Sequence, residues 1–161
     1  MEQPATPFVS KPKPVRLLAI ASGGGHWVQL LRMRSAWDDC DVTYASVHAS
    51  SADEVPGARY VNFVDVSRRS LWRLPIVFMQ MLWLVLRVRP DVIVTTGAMP
   101  PLLALVLGRL IGARTLWIDS IANSERLSGS GEIARRFAHQ VITQWPELAQ
   151  DGGPAYWGSV L

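Results

Sequence analysis

The sequence has a single cysteine, Cys40, and three histidines that lie far apart, His26, His48 and His139. One cysteine excludes an internal disulfide, and the histidine spacing matches no zinc-binding pattern. We therefore expect a reducing, cytoplasmic environment and neither a metal site nor a bound cofactor.

Charged residues are also scarce, at 18% of the 161 residues, whereas roughly 25% is usual for globular domains. The 16 basic and 13 acidic side chains give a net charge of +3, which is too small to indicate nucleic-acid binding without a clustered basic face. Hydrophobic residues make up 49%. The length suits one domain, so the composition predicts a packed globular protein with an unusually apolar surface.

The N-terminal segment lacks the apolar run of a signal peptide and has four prolines within its first 14 residues. This composition predicts a flexible proline-rich tail over residues 1–14. We expect the protein not to be exported.

Apolar runs typical of strands alternate with helical patterns from residue 15 onward. A doubly wound, Rossmann-like parallel sheet in one α/β domain over residues 15–148 is therefore predicted. With the strand order 3-2-1-4-5-6, the loops after the first and fourth strands would flank the switch point where such sheets bind ligands. The predicted strands are 15–21, 41–47, 58–64, 91–96, 114–118 and 139–144, and the later helices are 74–89, 102–111 and 131–138.

A glycine loop, Ser22, Gly23, Gly24 and Gly25, followed by His26, separates the first strand from the first helix. Backbone N–H groups and the positive helix end can approach a diphosphate here because no side chains intervene. The loop has neither the GxGxxG spacing of dinucleotide-binding proteins nor the lysine of a P-loop. The alternative interpretation is a tight turn that only packs the helix against the sheet.

His26 can act as a general base, since an imidazole with a pKa near 6.5 accepts a proton at neutral pH. A helix-capping role is the alternative. Asp39 and Asp41 form a DxD pattern, but they precede a strand, where solvation of a connecting loop explains them. They do not change the expectation that metal is absent.

An apolar stretch bordered by arginines lies between Val66 and Pro90, which contains five arginines and no acidic residue. Its apolar part, residues 74–86, would form about 20 Å of helix, short of the roughly 30 Å hydrocarbon core. We expect one face to be buried and the other to rest peripherally on an anionic membrane, and burial alone is the alternative. The expected membrane residues are Arg68, Arg69, Trp72, Arg73, Trp83 and Arg87.

The C-terminal third, IDSIANSERLSGSGEIARRFAHQVITQWPEL over residues 118–148 and then YWGSVL, resembles a known family. Together with SGGGH and RPDVIVTTGA, it is similar to the ALG-fourteen family of acceptor-binding, membrane-associated subunits of two-part glycosyltransferases. PssD-like proteins of exopolysaccharide synthesis are bacterial relatives. The resemblance covers nearly all of residues 15–161 and implies the fold of the N-terminal half of a GT-B transferase of the MurG kind.

The resemblance also implies a function and a set of site residues. A smaller partner subunit would bind the UDP-sugar, and this chain would bind a lipid-diphosphate saccharide at the cytoplasmic face of a membrane. A non-catalytic module that recruits the catalytic subunit to the membrane is the alternative. The residues implied are His26 and Asp119 for catalysis, and Ser22, Gly23, Gly24, Gly25, Gly97, Ser120 and Ser128 for the acceptor diphosphate.

The C-terminal residues 149–161 carry Tyr156 and Trp157, two aromatic side chains that are costly to leave in water. With Trp145, they are the expected interface for the partner subunit. The alternative is that they pack on this domain.

Overall fold

The computed structural model describes residues 13–66 and 70–160. Most of the predicted N-terminal tail, Arg68 and Arg69 of the expected membrane surface, and Leu161 lie outside the described residues.

Within the described residues, seven parallel strands form one sheet in the order β3-β2-β1-β4-β5-β6-β7. The predicted α/β doubly wound architecture and the order of its first six strands are confirmed. The seventh strand was not predicted because two residues carry no periodicity. The strands are β1 (Arg16–Ile20), β2 (Asp41–Ser46), β3 (Arg59–Asn62), β4 (Val92–Thr95), β5 (Arg114–Ile118), β6 (Gln140–Thr143) and β7 (Ala155–Tyr156).

In the part of the chain that the structure describes, four α-helices flank the sheet: α1 (Gly25–Arg32), α2 (Leu74–Val88), α3 (Met99–Leu110) and α4 (Gly129–Phe137). Helix α2 ends as expected before Pro90, and Arg89 takes a left-handed conformation with φ of 47°. Helix α3 begins earlier than predicted, at Met99, because prolines are tolerated in the first turn. Short 3₁₀ turns cover Arg34–Trp37, Ala49–Glu54, Leu71–Arg73 and Pro146–Leu148.

Alternation along β1 sends side chains into separate cores on the two faces of the sheet. Leu18 and Ile20 pack with the buried stripe of α2, whereas Leu17 and Ala19 pack with Trp27 and its neighbours on α1. A third cluster joins α3 and α4 around the buried Trp117. Both faces of the sheet are therefore covered, as parallel sheets require.

An ion pair joins β1 to the residue before β4 at the N-terminal edge of the sheet. The Arg16 guanidinium lies 2.7 Å from an Asp91 carboxylate oxygen, and Asp91 also accepts a hydrogen bond from the Arg16 backbone. Hydrogen bonding to Arg16 lowers the pKa of Asp91 to about 2. The contact fixes β1 beside β4, whose other ends lead into the glycine loop and into the loop that contains Gly97.

Candidate active site

A cleft at the C-terminal edge of the sheet contains three of the predicted site residues. His26, Ser120 and Ser128 line a recess of about 630 Å³. The recess lies where the loops after β1, β4 and β5 meet, next to the switch point, so the structure brings these distant residues together. Its apolar wall is formed by Val66, Leu71, Met99 and Ile133.

His26 is held against the loop after β4 by two reciprocal hydrogen bonds. Its Nδ1 lies 2.7 Å from the backbone oxygen of Thr96, and the Thr96 hydroxyl donates to the His26 carbonyl at 2.7 Å. Because a carbonyl oxygen only accepts, Nδ1 carries the hydrogen, and in the neutral ring Nε2 keeps its lone pair. This arrangement suits Nε2 to accept a proton from a molecule in the cleft.

The loop beneath the His26 ring has an unusual backbone. Gly97 has φ of 134° and Ala98 has φ of 81°. A Cβ at Gly97 would lie 2.6 Å from His26 Cε1, so only glycine leaves room for the ring. A non-glycine residue at positive φ costs about 1–3 kcal/mol, and such conformations concentrate at functional sites.

Gly97→Ala is expected to displace the His26 ring and break its bond to Thr96. In ¹H–¹⁵N spectra of the imidazole groups, His26 should change from the Nδ1–H tautomer to a mixture. Gly112→Ala is the matched control, because Gly112 also has positive φ, at 93°, but no atom lies near its Cβ position. An unchanged His26 tautomer in Gly97→Ala would contradict this account of the ring.

Asp119 follows β5 and is buried, with 2% of its surface exposed. Its Oδ1 accepts from Trp117 Nε1 at 3.0 Å and from the Ser128 hydroxyl at 2.6 Å. Its Oδ2 accepts from Asn123 Nδ2 at 3.0 Å and from the Ser128 backbone N–H at 2.9 Å. These four bonds use the acceptor positions of the carboxylate, and they fix the loop 120–128. Asp119 is not among the residues that line the cleft.

Ser128 connects this carboxylate to helix α4. Its hydroxyl donates to Asp119 and accepts from the Gly131 backbone N–H at 2.9 Å, which caps the helix. Ser120 is half-buried, and its hydroxyl accepts from the Ala122 N–H at 3.3 Å. Both serines therefore have structural contacts in addition to their place in the cleft wall.

The glycine loop borders a second recess. Ser22, Gly23 and Gly24 line a cavity of about 600 Å³ together with His48 and Gln80. A Cβ at Gly23 would lie 2.5 Å from His48 Nε2, so glycine is required where this ring packs on the loop. Gly24 has φ of 64°, and Gly25 begins α1. Three residues of the predicted diphosphate loop thus line this recess, and His26, which follows the loop, lines the other.

The predicted membrane helix has two apolar faces. Val77, Met81, Leu84 and Val85 are buried in the core, whereas Trp72 and Trp83 are 68% and 54% exposed. The guanidinium groups of Arg73 and Arg87 stack on Trp72 and Trp83, at 5.0 and 5.5 Å from the ring centroids. The exposed apolar side chains here are Leu71, Trp72, Ile76, Phe78, Met79, Trp83 and Leu86.

The helical segment is longer than the apolar run indicated. With the preceding 3₁₀ turn it extends over Leu71–Val88, eighteen residues with a mean hydropathy of 1.5. By length and composition alone it is the one helix among the described residues that could cross a membrane. Its buried stripe packs against the sheet, which favours a helix lying along the domain surface.

The C-terminal aromatic residues lie at the far edge of the sheet. Tyr156 belongs to β7, which pairs with β6, and Trp157 follows it with 66% of its surface exposed. Trp145 is half-buried, and its Nε1 donates to the Ile121 carbonyl at 2.8 Å. The backbone thus packs on this domain while two aromatic rings remain accessible.

A family model described as "Oligosaccharide biosynthesis protein Alg14 like" matches residues 54–160, about two thirds of the chain. The chain belongs to this Alg14-like family. The resemblance predicted from the sequence is therefore confirmed. The matched residues include Asp119 and Ser128, whereas the glycine loop precedes them.

Two curated relatives of this Alg14-like chain extend the similarity to its N-terminal part. It is 25% identical over 178 residues to the "UDP-N-acetylglucosamine transferase subunit ALG14" of Mus musculus, covering 88% of this chain and 81% of that protein. It is 28% identical over 171 residues to the subunit of that name from Schizosaccharomyces pombe, covering 87% and 81%.

The fold is similar to that of a larger solved structure. MurG from Acinetobacter baumannii superposes with a TM-score of 0.68 at 10% identity, over 88% of this chain and 45% of MurG. The Alg14-like chain therefore spans less than half the length of MurG. The predicted fold, one N-terminal half of a GT-B glycosyltransferase, is confirmed.

Sequence reasoning missed three buried polar residues of this Alg14-like chain. Thr96 fixes His26, as described above. Gln29 and Gln144 both donate to the Asp119 carbonyl, at 3.2 and 2.9 Å. The sequence did carry a signal for the two glutamines, since each lies inside an apolar stretch, WVQLL or VITQW. A polar side chain buried in such a stretch needs a hydrogen-bond partner.

Proposed function

We propose that this chain is the acceptor-binding subunit of a two-chain glycosyltransferase that transfers a sugar from a UDP-sugar to a lipid-diphosphate-linked saccharide. The pathway would be the synthesis of lipid-linked oligosaccharide or exopolysaccharide. The names of the curated relatives favour UDP-N-acetylglucosamine as the donor. A smaller partner subunit would supply the nucleotide-sugar-binding half.

The observation that carries the proposal is the setting of His26. Its Nδ1–H is committed to the Thr96 carbonyl, and the ring lines a cleft at the ligand-binding edge of the sheet. The fold corresponds to 45% of MurG, which supports a site completed by a second chain. The cleft would then lie between the two subunits.

The chemistry that fits this geometry is a displacement at the anomeric carbon of the donor sugar. His26 Nε2 takes the proton of the acceptor hydroxyl as its oxygen forms a bond to that carbon. The bond from the carbon to the diphosphate of UDP breaks, and UDP leaves with the bonding electrons. Backbone N–H groups of the glycine loop and the start of α1 hold the acceptor diphosphate. Inversion is the outcome expected for the family.

Asp119 supports this step as a positioning residue. Its carboxylate oxygens already accept four hydrogen bonds, which leaves His26 as the better candidate for the base. The loop that Asp119 fixes carries Ser120 and ends at Ser128, two residues of the cleft wall.

The experiment that tests the function is reconstitution with the partner. The chain is co-expressed with a candidate nucleotide-sugar-binding subunit, co-purified, and assayed for transfer of radiolabelled sugar to a lipid-linked acceptor. We expect transfer only when both chains are present. Transfer by the isolated chain would overturn the two-subunit proposal.

A recruitment module without acid–base groups is the second candidate function. The exposed apolar face of α2 with its stacked arginines favours it, because these features suit an anionic membrane at the cytoplasmic face. Both candidates place the chain peripherally on a membrane. They differ in whether His26 is needed for turnover.

Arg73→Glu with Arg87→Glu is expected to release most of the protein from anionic liposomes in a flotation assay. Each basic residue near such a surface contributes about 1 kcal/mol, and reversal replaces attraction with repulsion. Arg34→Glu with Arg136→Glu is the matched control, since both arginines are exposed and belong to other elements, the 3₁₀ turn after α1 and helix α4. Equal flotation of the two variants would remove the electrostatic contribution of the α2 face.

A further inference from the structure

Asp119 joins helix α1 to one wall of the cleft. Its carboxylate holds the loop 120–128, as described above. Its backbone carbonyl accepts from Gln29 Nε2 on α1, at 3.2 Å, and from Gln144 Nε2 after β6, at 2.9 Å. All three residues are buried, so water does not compete for these bonds. Two different parts of the chain are therefore fastened to one carbonyl at the end of β5.

Gln29 lies on the helix that carries His26. This helix has eight residues, and a helix this short is not stable alone in water, so its position depends on contacts with the rest of the domain. Within the described residues, three side chains of α1 hydrogen-bond to other elements: His26 to Thr96, Trp27 to Glu54 and Gln29 to Asp119. The Gln29 bond is the one of these three that joins α1 to the end of β5. Hydrogen bonds require a defined distance and angle, so this bond constrains where α1 lies against β5.

The Gln29 bond links the base to the polar wall that it faces in the cleft. His26 lies three residues before Gln29, and residues three apart are neighbours on a helix surface. In the same cleft, Ser120 directly follows Asp119, and Ser128 donates to its carboxylate. Asp119 therefore holds the loop through its side chain and α1 through its backbone. The position of His26 relative to this loop depends on one buried residue.

Gln144 extends this connection to the C-terminal segment. Its Oε1 accepts from the Val160 N–H, and its Nε2 donates to the Asp119 carbonyl. The two bonds fix the orientation of the amide, because a backbone N–H only donates and a carbonyl only accepts. The Gln144 carbonyl also accepts from the Ser159 hydroxyl. A continuous line of hydrogen bonds thus runs from the C-terminal segment through Gln144 and the Asp119 carbonyl to Gln29.

We propose that Gln29 and Gln144 are positioning residues that act on His26 through the Asp119 carbonyl. This role rests on the proposed function and adds to it a device that sets where the base lies in the cleft. With both glutamines in place, the carbonyl is held by two elements and α1 is kept at one distance from the loop 120–128. Loss of either donor lets this junction relax, and misplacement of a reacting group by about 1 Å can lower turnover by about 100-fold.

The first test is a double-mutant cycle in the reconstituted two-chain enzyme. Gln29→Met removes the donor and keeps an unbranched side chain that adapts to its surroundings. We expect it to lower kcat by about tenfold and to leave the KM for the acceptor within about twofold. In the His26→Ala background the same substitution should change kcat by less than about twofold, because the group that Gln29 positions is gone. Equal losses in both backgrounds would overturn the proposal, since a general structural defect would then explain them.

Thr115→Val is the matched control for the loss of a buried hydrogen bond. Thr115 is buried near the start of β5, and its hydroxyl accepts from the His139 N–H at 3.0 Å. It is not among the residues that line the cleft. The control should keep kcat within about twofold of the parent. A loss as large as that in Gln29→Met would count against a specific role for the glutamine.

A second measurement needs neither the partner chain nor transfer activity. The imidazole ¹H–¹³C signals of His26 are recorded for the purified full chain. We expect Gln29→Met and Gln144→Met each to move these signals, and Thr115→Val to leave them unchanged. Unmoved His26 signals in either glutamine variant would overturn the proposed line of contacts. Moved signals together with a parent enzyme that transfers no sugar would contradict the proposed function and still support the connection.

Discussion

Replacing His26 by alanine is expected to lower the turnover of the reconstituted two-chain enzyme by about 100- to 10,000-fold, the usual contribution of a general acid–base group. The imidazole is held by Thr96 with Nε2 left to accept a proton. Among the described residues that line the cleft, removing it leaves no other titratable side chain. The KM for the acceptor should change much less. Turnover is measured with saturating donor and lipid-linked acceptor.

His26→Asn separates chemistry from structure. The asparagine amide can donate to the Thr96 carbonyl as Nδ1–H does, but it cannot take up a proton at neutral pH. This variant should therefore be as inactive as His26→Ala while keeping its stability and its partner. His139→Ala is the matched control, because His139 bonds to Thr115 near the start of β5, at the opposite edge of the sheet. Full activity of His26→Ala would leave only the recruitment function.

Asp119→Ala is expected to lower the free energy of unfolding by about 3 kcal/mol or more. The substitution leaves buried donors of Trp117 and Ser128 without an acceptor, and each such group costs about 1–3 kcal/mol. Urea denaturation followed by far-UV circular dichroism measures the loss. Asp39→Ala, at an exposed position before β2, should stay within about 0.5 kcal/mol of the parent.

Asp119→Asn tests the positioning role of the carboxylate. The amide retains one acceptor oxygen but presents N–H groups to donors, so we expect a smaller loss of stability than in Asp119→Ala. If the role is positioning, the KM for the acceptor should rise more than kcat falls, since the loop 120–128 forms part of the cleft. A stable Asp119→Asn enzyme that has lost only kcat would instead identify Asp119 as a catalytic group.

The fold was largely predictable because a parallel sheet covered on both faces requires a recognisable sequence pattern. Strands buried on both faces read as short apolar runs, and helices between them must return the chain to the other edge. The switch point follows from the strand order alone. The predicted order therefore predicts that the glycine loop lies next to the loop that contains Gly97.

The detail of the site was not predictable, because its contacts join residues far apart in sequence. Nothing local to His26 indicates that its partner is a backbone oxygen 70 residues away. An acid after β5 was visible as Asp119, but the glutamines that donate to its backbone carbonyl, Gln29 and Gln144, lie 90 and 25 residues away. Parallel register determines these encounters, and a short sequence motif does not encode it.

The division of helix α2 into a buried and an exposed face was also not predictable from the sequence. A helix apolar on all sides predicts burial or contact with lipid, and the sequence alone does not divide its residues between the two. The packing of Val77 and Met81 on the sheet settles which stripe is internal. Only then do Trp72 and Trp83 stand out as an exposed surface.

Gln144 links the rigidity of the cleft to the weakest part of the sheet. Its side chain donates to the Asp119 carbonyl and accepts from the Val160 N–H at 2.8 Å, while its carbonyl accepts from the Ser159 hydroxyl at 2.7 Å. Strand β7 has only two residues, and short terminal pairings open at low free energy. Fraying at this edge removes the Val160 bond from the Gln144 side chain, whose amide braces the β5 loop. We therefore expect hydrogen exchange at Tyr156 to report, from the far edge of the sheet, on how often Gln144 loses this bond.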